Sequence, residues 1–126
     1  AVADYRPAST AKDKIKKGRA GLTLELELTP DILGSVKGDF IKVGFAAESS
    51  NLVENAKHKL QQKELDLIVA NDITATGSGF GAENDRVTII DREGKIDSLP
   101  LLPKREVADK TLDRVVELLH RKAKGK

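Results

Sequence analysis

The sequence predicts an α/β fold, and three observations carry that expectation. Two short runs of apolar, β-prone residues, Ile41 to Ala47 and Leu65 to Ala70, flank one amphipathic stretch. That arrangement is the mark of a right-handed βαβ unit with parallel strands. Arg86 to Asp91 and Lys95 to Leu101 bracket Arg92-Glu93-Gly94, the pattern of a β-hairpin. From Pro103 to Arg121 the residues Ala108, Leu112, Val115, Val116 and Leu119 recur at one-turn spacing, which predicts a helix packed on the sheet. With 126 residues there is room for a single α/β domain, residues 1–126.

Taken in order, Ala1 to Ala3 reads as the carboxyl end of a parallel core strand, with Asp4 and Tyr5 where that strand would meet a ligand. A chain that opens inside a strand and without methionine suggests a piece of something larger. Pro7 to Asp13 is rich in turn-formers and is expected to be a loop. Lys14, Ile15, Lys16 and Lys17, with Gly18, Arg19 and Gly21 behind them, suit a mobile lid over a polyanion, although a solvated charge run is the commoner meaning of such a stretch. Leu22, Leu24, Leu26 and Leu28 alternate with polar residues, predicting a half-buried strand to Thr29. Thr29 then caps a short helix whose first residue is Pro30 and which ends between Gly34 and Gly38.

The central unit follows. Asn51 with Glu54 three residues on makes a variant capping box, and Leu52, Val53, Ala56 and Leu60 form the buried stripe of the helix it starts. Lys59 and Lys63, one turn apart, fall together on the rim of that stripe. Ligands of such units bind at the carboxyl ends of the strands, here Gly44 to Glu48 and Asn71-Asp72. Ile73 to Asp85 carries Gly77, Gly79 and Gly81 around Phe80. A dinucleotide phosphate loop would need a helix straight after those glycines, and a strand follows instead. A flexible flap or protomer contact anchored by Phe80 fits better. Lys122, Lys124 and Lys126 form a frayed basic tail. His58 and His120 lack a partner at metal-ligand spacing.

Composition excludes several classes. Lys+Arg 22 against Asp+Glu 20 is too even for a nucleic-acid binder defined by bulk charge, and aromatics at 3% give little to stack on bases. Without cysteine there is no disulfide framework, thiolate metal site or cysteine nucleophile. No apolar run approaches the ~18 residues that cross a bilayer, so a soluble, cytoplasmic protein with no membrane or nucleic-acid partner is expected.

The segments AVADYRP, KIKK, TPDIL, VGFAAE, the two helix lysines, LDLIVAND, GFG and NDRVT occur in one order over the whole chain. In that order they resemble the phosphopantothenate–cysteine ligase family of coenzyme A synthesis, the synthetase half of a bifunctional enzyme. The resemblance implies a three-layer, Rossmann-like domain with a mainly parallel sheet plus a β-hairpin, incomplete at the N-terminus. It implies an enzyme in which CTP activates the carboxylate of 4′-phosphopantothenate as an acyl-cytidylate, which the amine of cysteine then attacks. By resemblance Asp4, Lys14, Phe45, Lys59 and Lys63 match nucleotide-binding positions, and Pro30, Asp31, Ile32 and Leu33 form the segment that reads the nucleotide. Lys14 opens the lid, Lys14 to Lys17, and serves the amide-forming step. Mg2+ is implied, with Asp4 as a ligand through water and no further metal ligand assignable. FMN is not expected to bind this portion. The missing N-terminal portion would supply the other wall of the site, and the family implies a homodimer with Gly77, Gly79, Phe80, Gly81 and Arg86 at the contact. A nucleotide-binding module without chemistry, or less readily a basic-loop nucleic-acid binder, is the alternative.

Overall fold

A computed structural model of the chain describes residues 3–18 and 21–125. It divides into two compact units, Ala1–Val36 and Lys37–Lys126. Ala1, Val2, Arg19 and Lys126, to which expectations were attached above, lie outside the described residues.

In the first unit, β1 (Tyr5–Pro7) pairs antiparallel with β2 (Leu26–Leu28), Tyr5 opposite Leu28 and Pro7 opposite Leu26. A cross-strand ion pair, Arg6 to Glu27 at 2.7 Å, and backbone bonds from Ala8 to Glu25 and from Thr29 to Asp4, both 2.9 Å, extend the ribbon. The parallel core strand expected at the start is therefore replaced, among the described residues, by an antiparallel ribbon. The half-buried strand over 22–29 is shorter and exposed: Leu22, Leu24, Leu26 and Leu28 are all more than half open to solvent. A two-stranded ribbon has no third layer on which to bury an alternating face. The next helix also starts later than expected. Thr29 is occupied with the ribbon, its hydroxyl donating to the Ala3 carbonyl. The cap passes to Asp31, whose carboxylate accepts from Gly34 N–H at 3.0 Å, and α1 spans Ile32–Ser35. A Cβ at Gly34 would meet the Asp31 carboxylate at 2.6 Å, so the cap needs glycine there.

The second unit holds the expected α/β core. Strands β3 (Val43–Glu48) and β4 (Leu67–Asp72) are parallel, in register from Val43 opposite Leu67 to Glu48 opposite Asp72. Helix α2 (Leu52–Gln62) joins them. After a two-residue strand β5 (Asn84–Asp85), β6 (Val87–Asp91) runs antiparallel to β4 and turns through Arg92–Gly94 into β7 (Ile96–Ser98). Gly94, at φ +91°, supplies the left-handed turn residue. The sheet order is β3-β4-β6-β7, so the parallel character is confined to one pair and the sheet is mixed. Strand β8 (Leu102–Pro103) pairs with β5 and leads into α3 (Lys104–Lys124).

Alternation sorts the two faces. Leu67, Val69, Val87 and Ile89 pack with Val107, Val115 and Leu118 of α3, with Val43 joining them from the edge. Ile68, Ala70 and Ile90 point the other way, where α2 buries Ala56 and Leu60. Helix, sheet and helix make three layers. Of the stripe expected on α2, Leu52 is half-buried and Val53 is 37% exposed. On α3 the expected stripe is rotated: Val107, Thr111 and Arg114 are the buried residues, while Leu112, Val116 and Leu119 are exposed. The cause is Arg114, which is drawn under the helix by Asp91 at 2.8 Å. The basic tail is helical to Lys124 rather than frayed, and Lys122 pairs with Asp39 at 3.7 Å.

Candidate functional site

The carboxyl ends of β3 and β4 come together at Glu48 and Asp72. Glu48 falls on the α2 face by alternation and is only 8% exposed. A lone carboxylate so far out of water is costly unless it is paired and hydrogen-bonded. Both oxygens are satisfied from α2. Lys59 Nζ lies 2.6 Å from Oε1, and Asn55 Nδ2 donates to Oε2 at 3.1 Å and to the Ser50 carbonyl at 3.0 Å. The helix entry is built by these bonds rather than by a capping box. Asn51 is in the left-handed conformation, φ 45°, and makes no side-chain cap bond; Asn55 ties down the turn in its place.

Lys63 sits elsewhere. It is the C-cap of α2, and its carbonyl accepts from Lys42 Nζ at 3.1 Å, so its backbone stands beside the start of β3, at the far end of the strands from Glu48. One turn of helix separates the two lysines, yet only Lys59 is anchored at the carboxyl ends. Phe45 is on β3 with its side chain on the α3 face, opposite in parity to Glu48, and is 74% exposed. Thus β3 presents Phe45 and Lys59's partner on opposite sides.

Beyond β4 the glycine-rich loop is tied at its base, in contrast to the flexible flap expected. Asn71 donates to Asp85 and accepts from the Ser78 hydroxyl, both at 2.9 Å, and Ser78 Oγ accepts from Arg86 N–H at 3.0 Å. Gly77, Gly79 and Gly81 all have positive φ, 81°, 106° and 77°, which explains why glycine recurs there. Phe80 at the tip is 92% exposed, and Arg86 is exposed too. The Thr74 hydroxyl and N–H both donate to Asp72, holding its carboxyl below the ordinary aspartate range.

In the first unit the ribbon brings Asp4 beside the TPDIL segment, through the Thr29 N–H bond to the Asp4 carbonyl. Pro30, Asp31 and Ile32 are exposed and Leu33 half-buried. Lys14, Ile15, Lys16 and Lys17 lie in an exposed stretch without regular structure. Among the described residues no group of three or more His, Cys, Asp or Glu side chains converges on a point. None of their helices is long and apolar enough to cross a membrane.

Glu48 and Asn55 are the site residues that sequence reasoning missed. Their signal was present: an acid closing a buried strand that faces a helix must find a cation there, and the helix offers Lys59.

A three-layer α/β domain with an anchored lysine at the carboxyl ends of a parallel strand pair belongs to the class that binds ligands at strand ends. Comparison with known proteins narrows this. Residues 1–119 match the family described as the DNA/pantothenate metabolism flavoprotein C-terminal domain, and the chain belongs to that family. It is 45% identical over 121 residues to the coenzyme A biosynthesis bifunctional protein CoaBC of Bacillus subtilis, covering 94% of this chain and 30% of that protein. A cysteine/cysteine sulfinic acid decarboxylase from an unknown prokaryotic organism is 41% identical over 124 residues, with 95% of this chain and 34% of the relative covered. Among solved structures, the C-terminal domain of a CoaBC protein superposes with TM-score 0.70 at 36% identity, over 95% of this chain and 52% of that one. A DNA/pantothenate metabolism flavoprotein from Streptococcus pneumoniae shares the fold, also at TM-score 0.70, with 23% identity over 94% of this chain and 60% of its own. The chain thus spans about a third of these curated relatives and a little over half of the solved domains. The resemblance read from the motif order is borne out.

Proposed function

We propose that this chain forms the nucleotide side of a CTP-dependent ligase that joins 4′-phosphopantothenate to cysteine in coenzyme A biosynthesis. The observation that carries the reading is the match of 94% of the chain, motif by motif in order, to a coenzyme A biosynthesis protein at 45% identity. In the first step a carboxylate oxygen of phosphopantothenate attacks the α-phosphorus of CTP, and pyrophosphate leaves. In the second the cysteine amine attacks the acyl carbon, and CMP leaves as the amide forms and the amine sheds a proton. Both steps crowd negative oxygens, so preorganised cations lower the barrier.

The residues present suit that demand. Lys59, fixed at the strand ends, holds phosphate oxygens, and Lys63 contributes from the far cap of α2 as the weaker partner. Asp4 with Pro30, Asp31, Ile32 and Leu33 reads the nucleoside, and Phe45 packs against it. Lys14 leads the lid, Lys14 to Lys17, and neutralises charge developing in the transition state. A single exposed carboxylate, Asp4, together with substrate phosphates is a donor set typical for Mg2+, which when bound offsets phosphate charge and orients the leaving group. The protein acts as a homodimer through the loop carrying Gly77, Gly79, Phe80, Gly81 and Arg86.

Turnover of CTP, phosphopantothenate and cysteine, followed by pyrophosphate release and by mass detection of the amide, tests the reading. CTP binding without amide formation would reduce it to a nucleotide-binding module, and carbon dioxide release from a cysteine derivative would replace it with a decarboxylase. Lys14→Gln separates roles within it. Turnover should fall by about a hundredfold, in the range of a lost electrostatic donor, with the CTP dissociation constant changed less than about threefold. The reverse pattern would assign Lys14 to ground-state binding.

A further inference from the structure

We infer that Glu48 is a positioning residue that holds Lys59 ready for the nucleotide phosphates, an inference that rests on the CTP reading above. Its basis is an asymmetry within the ion pair. Glu48 is 8% exposed, whereas the Lys59 side chain is 42% exposed. Other close pairs of the second unit lack this form: in Arg114–Asp91 both side chains are sealed, and in Lys37–Glu64 both stand in solvent.

A buried acid holding a half-open base has a particular use. The ammonium group carries three donors, and Glu48 Oε1 takes one at 2.6 Å, leaving two directed at solvent by the carboxyl end of β3. Exposed lysines lose rotamer freedom when they bind an anion, and a lysine already anchored has lost it beforehand. Asn55 makes the anchor rigid by holding Oε2, so the carboxylate cannot swing to follow the ammonium. The backbone locks it further, since the Glu48 carbonyl accepts from Ile73 N–H at 3.1 Å. The pair survives ligand binding, because withdrawing Lys59 altogether would strand a carboxylate out of water.

CTP titration of the protein by calorimetry, with thermal melting of each variant alongside, tests this in a double-mutant cycle. Glu48→Gln keeps an acceptor for Asn55 and removes the charge that orders Lys59. It should weaken CTP by about tenfold, in line with loss of a charged hydrogen bond. Placed in a Lys59→Ala background the same change should have no further effect, while with Lys63→Ala the losses should add. A Glu48→Gln variant that binds CTP as well as or better than the parent overturns the inference, as does a loss that persists in full without Lys59. Should Glu48→Gln fail to fold, Asn55→Ala takes its place. Its smaller weakening must vanish in the Lys59→Ala background, and additivity there refutes the inference. If Lys59→Ala and Lys63→Ala themselves leave CTP binding unchanged, the nucleotide reading of α2 falls. If Lys59→Ala weakens CTP while Glu48→Gln does not, that reading stands and only the role of Glu48 is lost.

Discussion

Arg114 enters the core of the second unit with its side chain 6% exposed, facing an Asp91 side chain that is 0% exposed. Asp97 at 3.3 Å and Glu117 at 3.2 Å complete the network around Nη1, and Lys95 N–H donates to Asp91 at 2.9 Å. Removing one partner of such a pair leaves a charge out of water without compensation, and that cost dominates the attraction itself. Arg114→Ala should therefore lower unfolding stability by roughly 3 kcal/mol, read as a fall in the urea midpoint. A change below about 1 kcal/mol would mean that Asp91 is solvated in the variant. Asp72 offers a milder test. Its carboxyl is held low, first by the Thr74 hydroxyl and then by the Thr74 N–H. A carboxyl with a depressed folded pKa contributes stability that is present above the unfolded pKa and lost as pH falls through the folded one. Its contribution is accordingly whole at neutral pH and goes only in acid, below the ordinary aspartate range. Thr74→Val, which removes the hydroxyl, should move the Asp72 titration upward in a carbon-detected NMR experiment; an unmoved midpoint would count against the hydroxyl as the main cause.

Helix α3 shows how a short sequence window misreads an element that packs on charge. Counting only apolar residues gives a stripe through Ala108, Leu112, Val116 and Leu119, but the face that meets the sheet is Val107, Thr111, Arg114 and Leu118. Val107→Ala should cost about 2 kcal/mol through lost burial and a cavity, whereas Leu112→Ala, at 60% exposure, should cost less than about 0.5 kcal/mol. Equal losses in thermal or urea unfolding would restore the apolar stripe as the packed one. The βαβ unit and the hairpin were legible because their signals are local: alternation, run length and a turn glycine. The rotation of α3 was not, because it depends on Asp91, a residue 23 positions away that contributes nothing to the helical pattern. The same holds at the candidate site. Lys59 was found by its place on the rim, but Glu48 and Asn55 emerge only when β3 and α2 are laid face to face. The early capping assignments failed for a related reason. Thr29 and Asn51 are good caps in isolation, and each is diverted, Thr29 by pairing with Ala3 and Asn51 by a left-handed turn that hands its work to Asn55.

At the scale of the whole molecule the two units differ in kind. The second has a continuous core that seals Leu67, Ile68, Val69, Ala70, Ile89 and Ile90. In the first, every described residue is exposed or at most half-buried, and the stretch from Ser9 to Gly18 has no helix or strand. Local opening is cheapest where few apolar contacts hold the backbone, so the two units should differ in their resistance to cleavage. Limited trypsin digestion should cut at Lys14, Lys16 and Lys17 before any site in 37–125, leaving a resistant product that contains α2, the four-stranded sheet and α3. First cuts within α3, at Arg105 or Lys110, would show that the sheet-bound helix is the weaker part. The same digestion examines the lid. If Lys14 to Lys17 close over a bound triphosphate, saturating CTP must slow cleavage there while the resistant product is digested at an unchanged rate. Protection of both regions alike would point to global stabilisation by ligand binding, and protection of neither would leave the basic segment a solvated charge run without a lid's function.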